Sequence, residues 1–218
     1  VTGHTGFKGS WLSIWLTSMG AKVVGLSNKI PTEPSNFIMS KVNNLVEDNR
    51  VDIRNKKEVE KVIQKCQPDF IFHLAAQALV RSSYESPFET IEVNSMGSVN
   101  ILEGIRGLKK SVVLVMITSD KVYDNVEWIW GYRETDRLGG KDPYSASKGI
   151  AELAIRTYVE SFFNENSNVR IGVARAGNVI GGGDWASNRI VPDCMRAWSI
   201  GKVVDIRNPY ATRPWQHV

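Results

Sequence analysis

Tyr144 and Lys148 stand four residues apart in the segment Tyr144-Ser145-Ala146-Ser147-Lys148. On a helix that spacing puts a phenol and an ammonium on one face. A nearby ammonium favours the phenolate and lowers the tyrosine pKa. A tyrosine so placed can take a proton from a substrate hydroxyl near neutral pH. Far upstream, Thr2-Gly3-His4-Thr5-Gly6-Phe7-Lys8-Gly9 sets Gly3, Gly6 and Gly9 at three-residue spacing. Glycine adopts the conformations such a turn needs without steric cost. The helix that follows favours the charge of a pyrophosphate at its N-terminus. Each pattern alone is common. Together, and in this order, they point to hydride chemistry on a bound nicotinamide dinucleotide.

Other polar groups fall where such a ligand needs them. Asp52 closes a predicted strand and can accept from an adenine amine. The preceding strand ends Leu26-Ser27-Asn28-Lys29, without the acidic residue that usually holds the adenosine ribose. Lys29 would suit a 2′-phosphate, so these residues leave NAD against NADP open. Thr118-Ser119-Asp120-Lys121 closes a later strand with hydroxyl, carboxylate and amine groups. Asn94 falls inside a predicted long helix, placed to hold a water or a helix carbonyl near the site. Cys66, Cys194, His4, His73 and His217 are scattered, which argues against a metal site.

The elements that must position these groups alternate. Helical spacing of Trp11, Leu12, Trp15, Leu16 and Met19 predicts a helix over 9–19, capped by Gly20. Residues 22–26 read as a buried strand, 28–44 as a long irregular connection, and 45–51 as a short strand. A helix over 56–65 is followed by a strand over 69–74. A long helix is predicted for about 87–107, a strand for 112–117, a helix for about 144–163 and a strand for 170–174. This order predicts an α/β fold, a Rossmann-like doubly wound parallel sheet whose ligand lies beyond the C-terminal strand ends. From about residue 177 the pattern changes, with a Gly181-Gly182-Gly183 turn, a helix over 190–200 and a strand over 203–206. The expected division is 1–176 as a dinucleotide-binding domain and 177–218 as an incomplete substrate lobe. Little strand precedes Gly3, so the first strand reads as truncated. The chain is therefore expected to be part of a longer protein and to fold poorly alone.

Composition excludes several classes. The 218 residues carry a net charge of +4 and are 42% hydrophobic, enough for a real core. No Lys/Arg run favours nucleic acid. No signal peptide or spanning helix is recognisable, which predicts a reducing, cytoplasmic setting.

Several longer segments carry a family resemblance. They are Thr2–Trp11, His73–Gln77, Ser119–Asn125, Gly139–Tyr144, Arg175–Trp185 and Ile206–Val218. The chain resembles an extended short-chain dehydrogenase/reductase, and within it the nucleotide-sugar 4,6-dehydratases. The resemblance implies NAD as cofactor and a nucleotide sugar, CDP-glucose, as substrate. It makes Tyr144 the base at the sugar 4-hydroxyl, with Lys148 orienting the nicotinamide ribose. It assigns Thr5, Phe7, Ile53, Leu74, Ala75 and Ala76 to the cofactor beside the glycines, Asp52 and Asn94. Ser119, Asp120 and Lys121 match a Thr-Asp-Glu found in many sugar dehydratases. Asp120 is then the acid for the departing water, and Lys121 replaces the carboxylate that removes the C5 proton. Lys at this position is a feature of the branch that takes CDP-glucose; the identity of the C5 base stays open. Asn178, Arg189, Arg207 and Arg213 are the expected substrate contacts, since arginine binds phosphate oxygens bidentately. The resemblance also implies a homodimer packed through the helices at about 87–107 and 144–163.

Overall fold

The computed structural model describes residues 1–165, 167–206 and 208–218. Its centre is a parallel sheet. Strands β1 (Val24–Leu26) and β2 (Glu47–Asn49) pair with each other, and β3 (Phe70–His73), β4 (Val112–Ser119) and β5 (Val169–Ala176) form a second group. Thr2 joins the two groups through bridges to Leu26 and His73. The Thr2 amide donates to the Phe72 carbonyl at 2.9 Å, and the Leu74 amide donates to the Thr2 carbonyl at 3.2 Å. With Thr2 counted as the first strand, the spatial order is third, second, first, fourth, fifth, sixth. That is the doubly wound order with its switch point beside Thr2.

Helices α1 (Phe7–Ser18), α3 (Lys56–Cys66), α6 (Gly97–Arg106) and α7 (Pro143–Phe162) link and cover these strands. The core lies between β4 and the helices. Val59 and Ile63 of α3, Ile101, Leu102 and Ile105 of α6, Ile155 of α7, and Leu114 and Met116 of β4 form one buried cluster. Leu114 is wholly enclosed. Leu114→Ala is expected to lower stability by about 2–5 kcal/mol, read as a fall in the denaturant midpoint.

Several elements differ from the sequence expectation, each for a physical reason. The apolar spacing of α1 marks the helix but not the face it buries. Gly9, Ser10 and Ser13 face inward, while Trp15 and Met19 are about 60% exposed. The helix lies so close to the glycine turn that only small side chains fit. The connection 28–44 is not wholly irregular. Ser35 caps the short helix α2 (Asn36–Met39) and a 3-10 turn follows at Val42–Asn44, burying Phe37 and Val42. A six-residue helix, α4 (Val80–Glu85), also escaped the periodicity. The long helix begins as α5 (Pro87–Ile91) and passes through a π turn, Glu92–Met96, before α6.

Residues 203–206 form no strand. Instead β6 (Asn178–Ile180) takes β7 (Trp215–His217) as its parallel neighbour, after α8 (Ile190–Ser199). A ladder needs a partner, and Val203 is 94% exposed without one.

Candidate active site

The glycine turn is built by close approach. Gly3 has φ +72°, and a Cβ there would lie 2.8 Å from the Ala75 nitrogen. A Cβ on Gly9 would lie 2.0 Å from the Gly3 carbonyl oxygen, so α1 can rest on the turn only through glycine. Gly6 precedes the helix, its amide donating to the Gly3 carbonyl at 3.0 Å. The N-cap, Gly6, has no side chain with which to cap α1, and the first turn of the helix holds no acidic residue. This uncapped start, on a turn that admits no side chain at Gly3 or Gly9, fits the diphosphate of a dinucleotide.

The strand ends flanking the turn are pinned to it. Ala75 donates its amide to Thr2 Oγ1 at 3.1 Å. Thr2 Oγ1 meets His73 Nδ1 at 2.7 Å, and His73 Nε2 meets Ser98 Oγ at 3.1 Å. Ser98 gives its own proton to the Asn94 carbonyl, so Nε2 is the donating nitrogen of a neutral ring. Burial, assisted by the Lys148 charge, pushes His73 down to about 3, which keeps it neutral. Leu74, Ala75 and Ala76 run on from this anchored end of β3.

Tyr144 opens α7 just after Pro143, with Asp142 as N-cap accepting from the Ser145 amide at 2.9 Å. Tyr144 is 9% exposed and Lys148 7%. Tyr144 lines an open cleft of ≈ 1100 Å³ together with Lys8, Ser119, Asp120, Lys121 and Arg189. Ser119 Oγ donates to Asp120 at 3.0 Å and accepts from the Lys121 amide at 3.3 Å, which winds the three residues into a 3-10 turn. Lys148 Nζ lies 3.5 Å from the Ile117 carbonyl. Burial, then the charge of Lys8, lowers Lys148 to about 8, with Glu152 opposing.

One expectation is corrected here. The Tyr144 phenol is pushed up, not down, because burial outweighs the lowering influence of the neighbouring Ser119 hydroxyl. The helical spacing places Lys148 on the correct face but does not by itself acidify the tyrosine.

The remaining expected residues divide. Asn94 is buried in the π turn, accepting from the Gln77 amide at 2.8 Å and donating to Ser147 Oγ at 2.8 Å. It therefore ties the loop after β3 to α7 rather than holding a helix carbonyl. Asp52 turns its carboxylate to Arg54 Nε at 3.0 Å and to Asn28 at 3.3 Å. Ile53 is buried against Gly97 and belongs to the core, so its side chain is not free for a ligand. The Thr5 hydroxyl is likewise engaged, donating to the Lys29 carbonyl at 2.7 Å and meeting Ser27 at 2.7 Å. Phe7 packs toward Gly181. Asn178 lines the cleft, as does Arg189, which pairs with Asp184 at 3.0 Å. Arg213 does not line it; it is exposed and donates to the Thr212 carbonyl at 2.7 Å. Arg207 lies outside the described residues.

Two features went unread in the sequence. Lys8 stands inside the glycine motif, yet its side chain reaches the cleft beside Asp120. Glu152, one turn beyond Lys148, binds Arg175 of β5 and Thr118 of β4. The i+4 spacing from Lys148 was the available signal for Glu152. Among the described residues, no group of three or more His, Cys, Asp or Glu is placed to hold a metal ion.

Comparison with known proteins places this geometry. The model of a family described as GDP-mannose 4,6 dehydratase matches residues 1–218. The chain is 52% identical over 222 residues to a CDP-glucose 4,6-dehydratase of Salmonella typhimurium, covering 100% of this chain and 62% of that protein. The chain thus spans less than two thirds of that relative's length. A Thermus thermophilus UDP-glucose 4-epimerase, solved in complex with NAD, superposes with a TM-score of 0.81 at 28% identity, over 99% of this chain and 69% of that one. A dTDP-glucose 4,6-dehydratase double mutant from Streptomyces venezuelae, solved with NAD and DAU, gives a TM-score of 0.84 at 21% identity over 99% and 66%, a likeness of fold.

Proposed function

The chain belongs to the GDP-mannose 4,6 dehydratase family, and we propose that the full-length protein is an NAD-dependent lyase that converts CDP-glucose to CDP-4-keto-6-deoxyglucose. The observation that carries this reading is the single cleft where Tyr144, Ser119, Asp120 and Lys121 meet Asn178 and Arg189. Its support is the 52% identity to a CDP-glucose 4,6-dehydratase.

The residues divide the work. Gly3, Gly6 and Gly9 would hold NAD, which when bound would supply the acceptor for the hydride from sugar C4 and the donor for its return to C6. Tyr144 takes the C4 hydroxyl proton, and Lys148 steadies the phenolate through its charge. The 4-keto group acidifies C5, and we assign to Lys121 the removal of that proton and its return to C5 as the hydride reaches C6. Asp120 protonates the departing C6 hydroxyl, and Ser119 orients Asp120 through their hydrogen bond. Arg189 is assigned to the substrate diphosphate and Asn178 to the substrate. Residues 1–176 form the dinucleotide-binding part and 177–218 the beginning of the substrate lobe.

We assign the protein to the cytoplasm. No helix among the described residues is long and apolar enough to cross a membrane. We also assign it a homodimer through the outer faces of α5 and α7, where Phe88 is 79% and Leu153 55% exposed. Phe88→Glu with Leu153→Glu is expected to leave a monomer in sedimentation velocity; an unchanged dimer would remove these faces from the interface.

The activity is tested by offering the full-length protein CDP-, dTDP-, GDP- and UDP-glucose. Mass spectrometry should find loss of one water from the CDP sugar in preference to the others. Turnover of dTDP-glucose with none of CDP-glucose would overturn the assignment.

A further inference from the structure

Lys148 and Glu152 lie four residues apart on α7, a spacing at which an ammonium and a carboxylate ordinarily pair. They do not pair here. Glu152 Oε1 accepts from Thr118 Oγ1 at 2.6 Å and from Arg175 Nε at 2.9 Å. Glu152 Oε2 accepts from Arg175 Nε at 3.0 Å and from the guanidinium Nη2. Arg175 is held in turn. Its guanidinium lies over the Tyr123 ring at 4.7 Å and donates to the Glu134 carbonyl at 3.2 Å. Both members are enclosed, with side chains 16% and 6% exposed. Across from them, Lys148 has no carboxylate within 4.0 Å among the described residues, and only the Ile117 carbonyl near its nitrogen. The charged and titratable groups facing it are Glu152 from its own helix, Lys8 from α1 and the neutral His73 from β3.

Glu152 is thus the counter-ion within reach of Lys148, and it is occupied. We propose that Arg175 is a positioning residue: by holding Glu152 in its fork, it keeps that carboxylate off the Lys148 ammonium and leaves the ammonium to Tyr144 and the cofactor ribose. Were Arg175 removed, the freed carboxylate would meet Lys148 one turn away and draw its ammonium from the place it holds beside the Ile117 carbonyl. Thr118 fixes only one of the two carboxylate oxygens and carries no charge to compete. This inference rests on the roles given to Tyr144 and Lys148 above.

The test uses full-length protein as wild type, Arg175→Met, Arg175→Lys, Glu152→Gln and the double variant Arg175→Met/Glu152→Gln. NAD affinity is read by calorimetry and kcat and KM on CDP-glucose, well below each variant's melting temperature. Arg175→Met should weaken NAD binding and lower kcat by about tenfold or more, with KM changed less than about threefold. Its alkaline limb of kcat should move to higher pH, because a paired ammonium keeps its proton longer. Glu152→Gln and Arg175→Lys should stay within about threefold of wild type, and the double variant should regain most of what Arg175→Met lost. A fold-holding role alone would lower the rate without moving the limb. The proposal fails if Glu152→Gln falls as far as Arg175→Met, or if the double variant is no better than Arg175→Met. Should Arg175→Met not fold, Glu152→Gln decides alone: a fall of more than about threefold from wild type in kcat or NAD affinity overturns the proposal. If wild type turns over no nucleotide sugar, the functional reading fails, and NAD affinities across the variants still decide the role of Arg175.

Discussion

Tyr144→Phe in the full-length protein is expected to lower kcat by about a hundred- to ten-thousand-fold, the usual range for a lost general base. The ring stays, so the packing at the start of α7 stays with it. What goes is the hydroxyl that faces Ser119 in the cleft. Because burial pushes this phenol up, the free tyrosine is a poor source of phenolate near neutral pH. On the proposed mechanism the proton leaves in concert with substrate oxidation, and the Lys148 charge offsets the cost of the phenolate as it forms. No other side chain is assigned to the C4 hydroxyl, so nothing should substitute. NAD titration should give the wild-type affinity while product formation stops. Turnover within about tenfold of wild type would remove Tyr144 from the base role.

The second large effect is structural. Gly9→Ala adds one methyl, and that carbon would stand 2.0 Å from the Gly3 oxygen, 2.7 Å from its carbonyl carbon and 2.8 Å from the His4 Cα. All three are backbone atoms, so no flexible side chain can yield. Either α1 lifts from the turn or the turn deforms. Overpacking of this kind costs about 1–3 kcal/mol, and a backbone clash belongs at the upper end. The same displacement moves the uncapped start of α1, so NAD affinity should fall by about tenfold or more, equivalent to about 1.4 kcal/mol. Gly107→Ala is the control, since its nearest neighbour would be a flexible Gln64 side chain at 3.7 Å. Denaturation midpoints and NAD titrations that fail to separate the two variants would show that Gly9 does not set this approach.

The sheet and its covering helices were legible because each buried strand carries a short apolar run, and the helices recur at 3.6-residue spacing. What escaped was set by distance in space. The inward face of α1 is small because the glycine turn lies against it, which the Trp11, Trp15 and Met19 spacing cannot report. β6 and β7 are three residues each and exist only because 178–180 and 215–217 meet; neither segment marks itself as a strand. Tyr144, Ser119, Asp120 and Lys121, which the fold brings to one cleft, were readable from residue type, from strand-end position for the last three and from helical spacing to Lys148 for the first. The Thr118–Glu152–Arg175 contact was not, because its members are 34 and 23 residues apart and only the fold brings them together. Arg213, a residue type suited to phosphate, stands exposed at the surface and outside the cleft lining, a placement that residue type does not report.

The π turn at Glu92–Met96 acts as a phase shifter. It holds one residue more than an α turn, so everything after it is advanced by about 100° around the axis. Asn94 and Ser95, consecutive in the chain, both reach Ser147 on α7. Beyond them Ile101, Leu102 and Ile105 turn to the core, while before them Phe88 and Ile91 face outward. One inserted residue thus sets two independent clocks on a single rod: the upstream hand points to an open surface, and the downstream hand to the sheet.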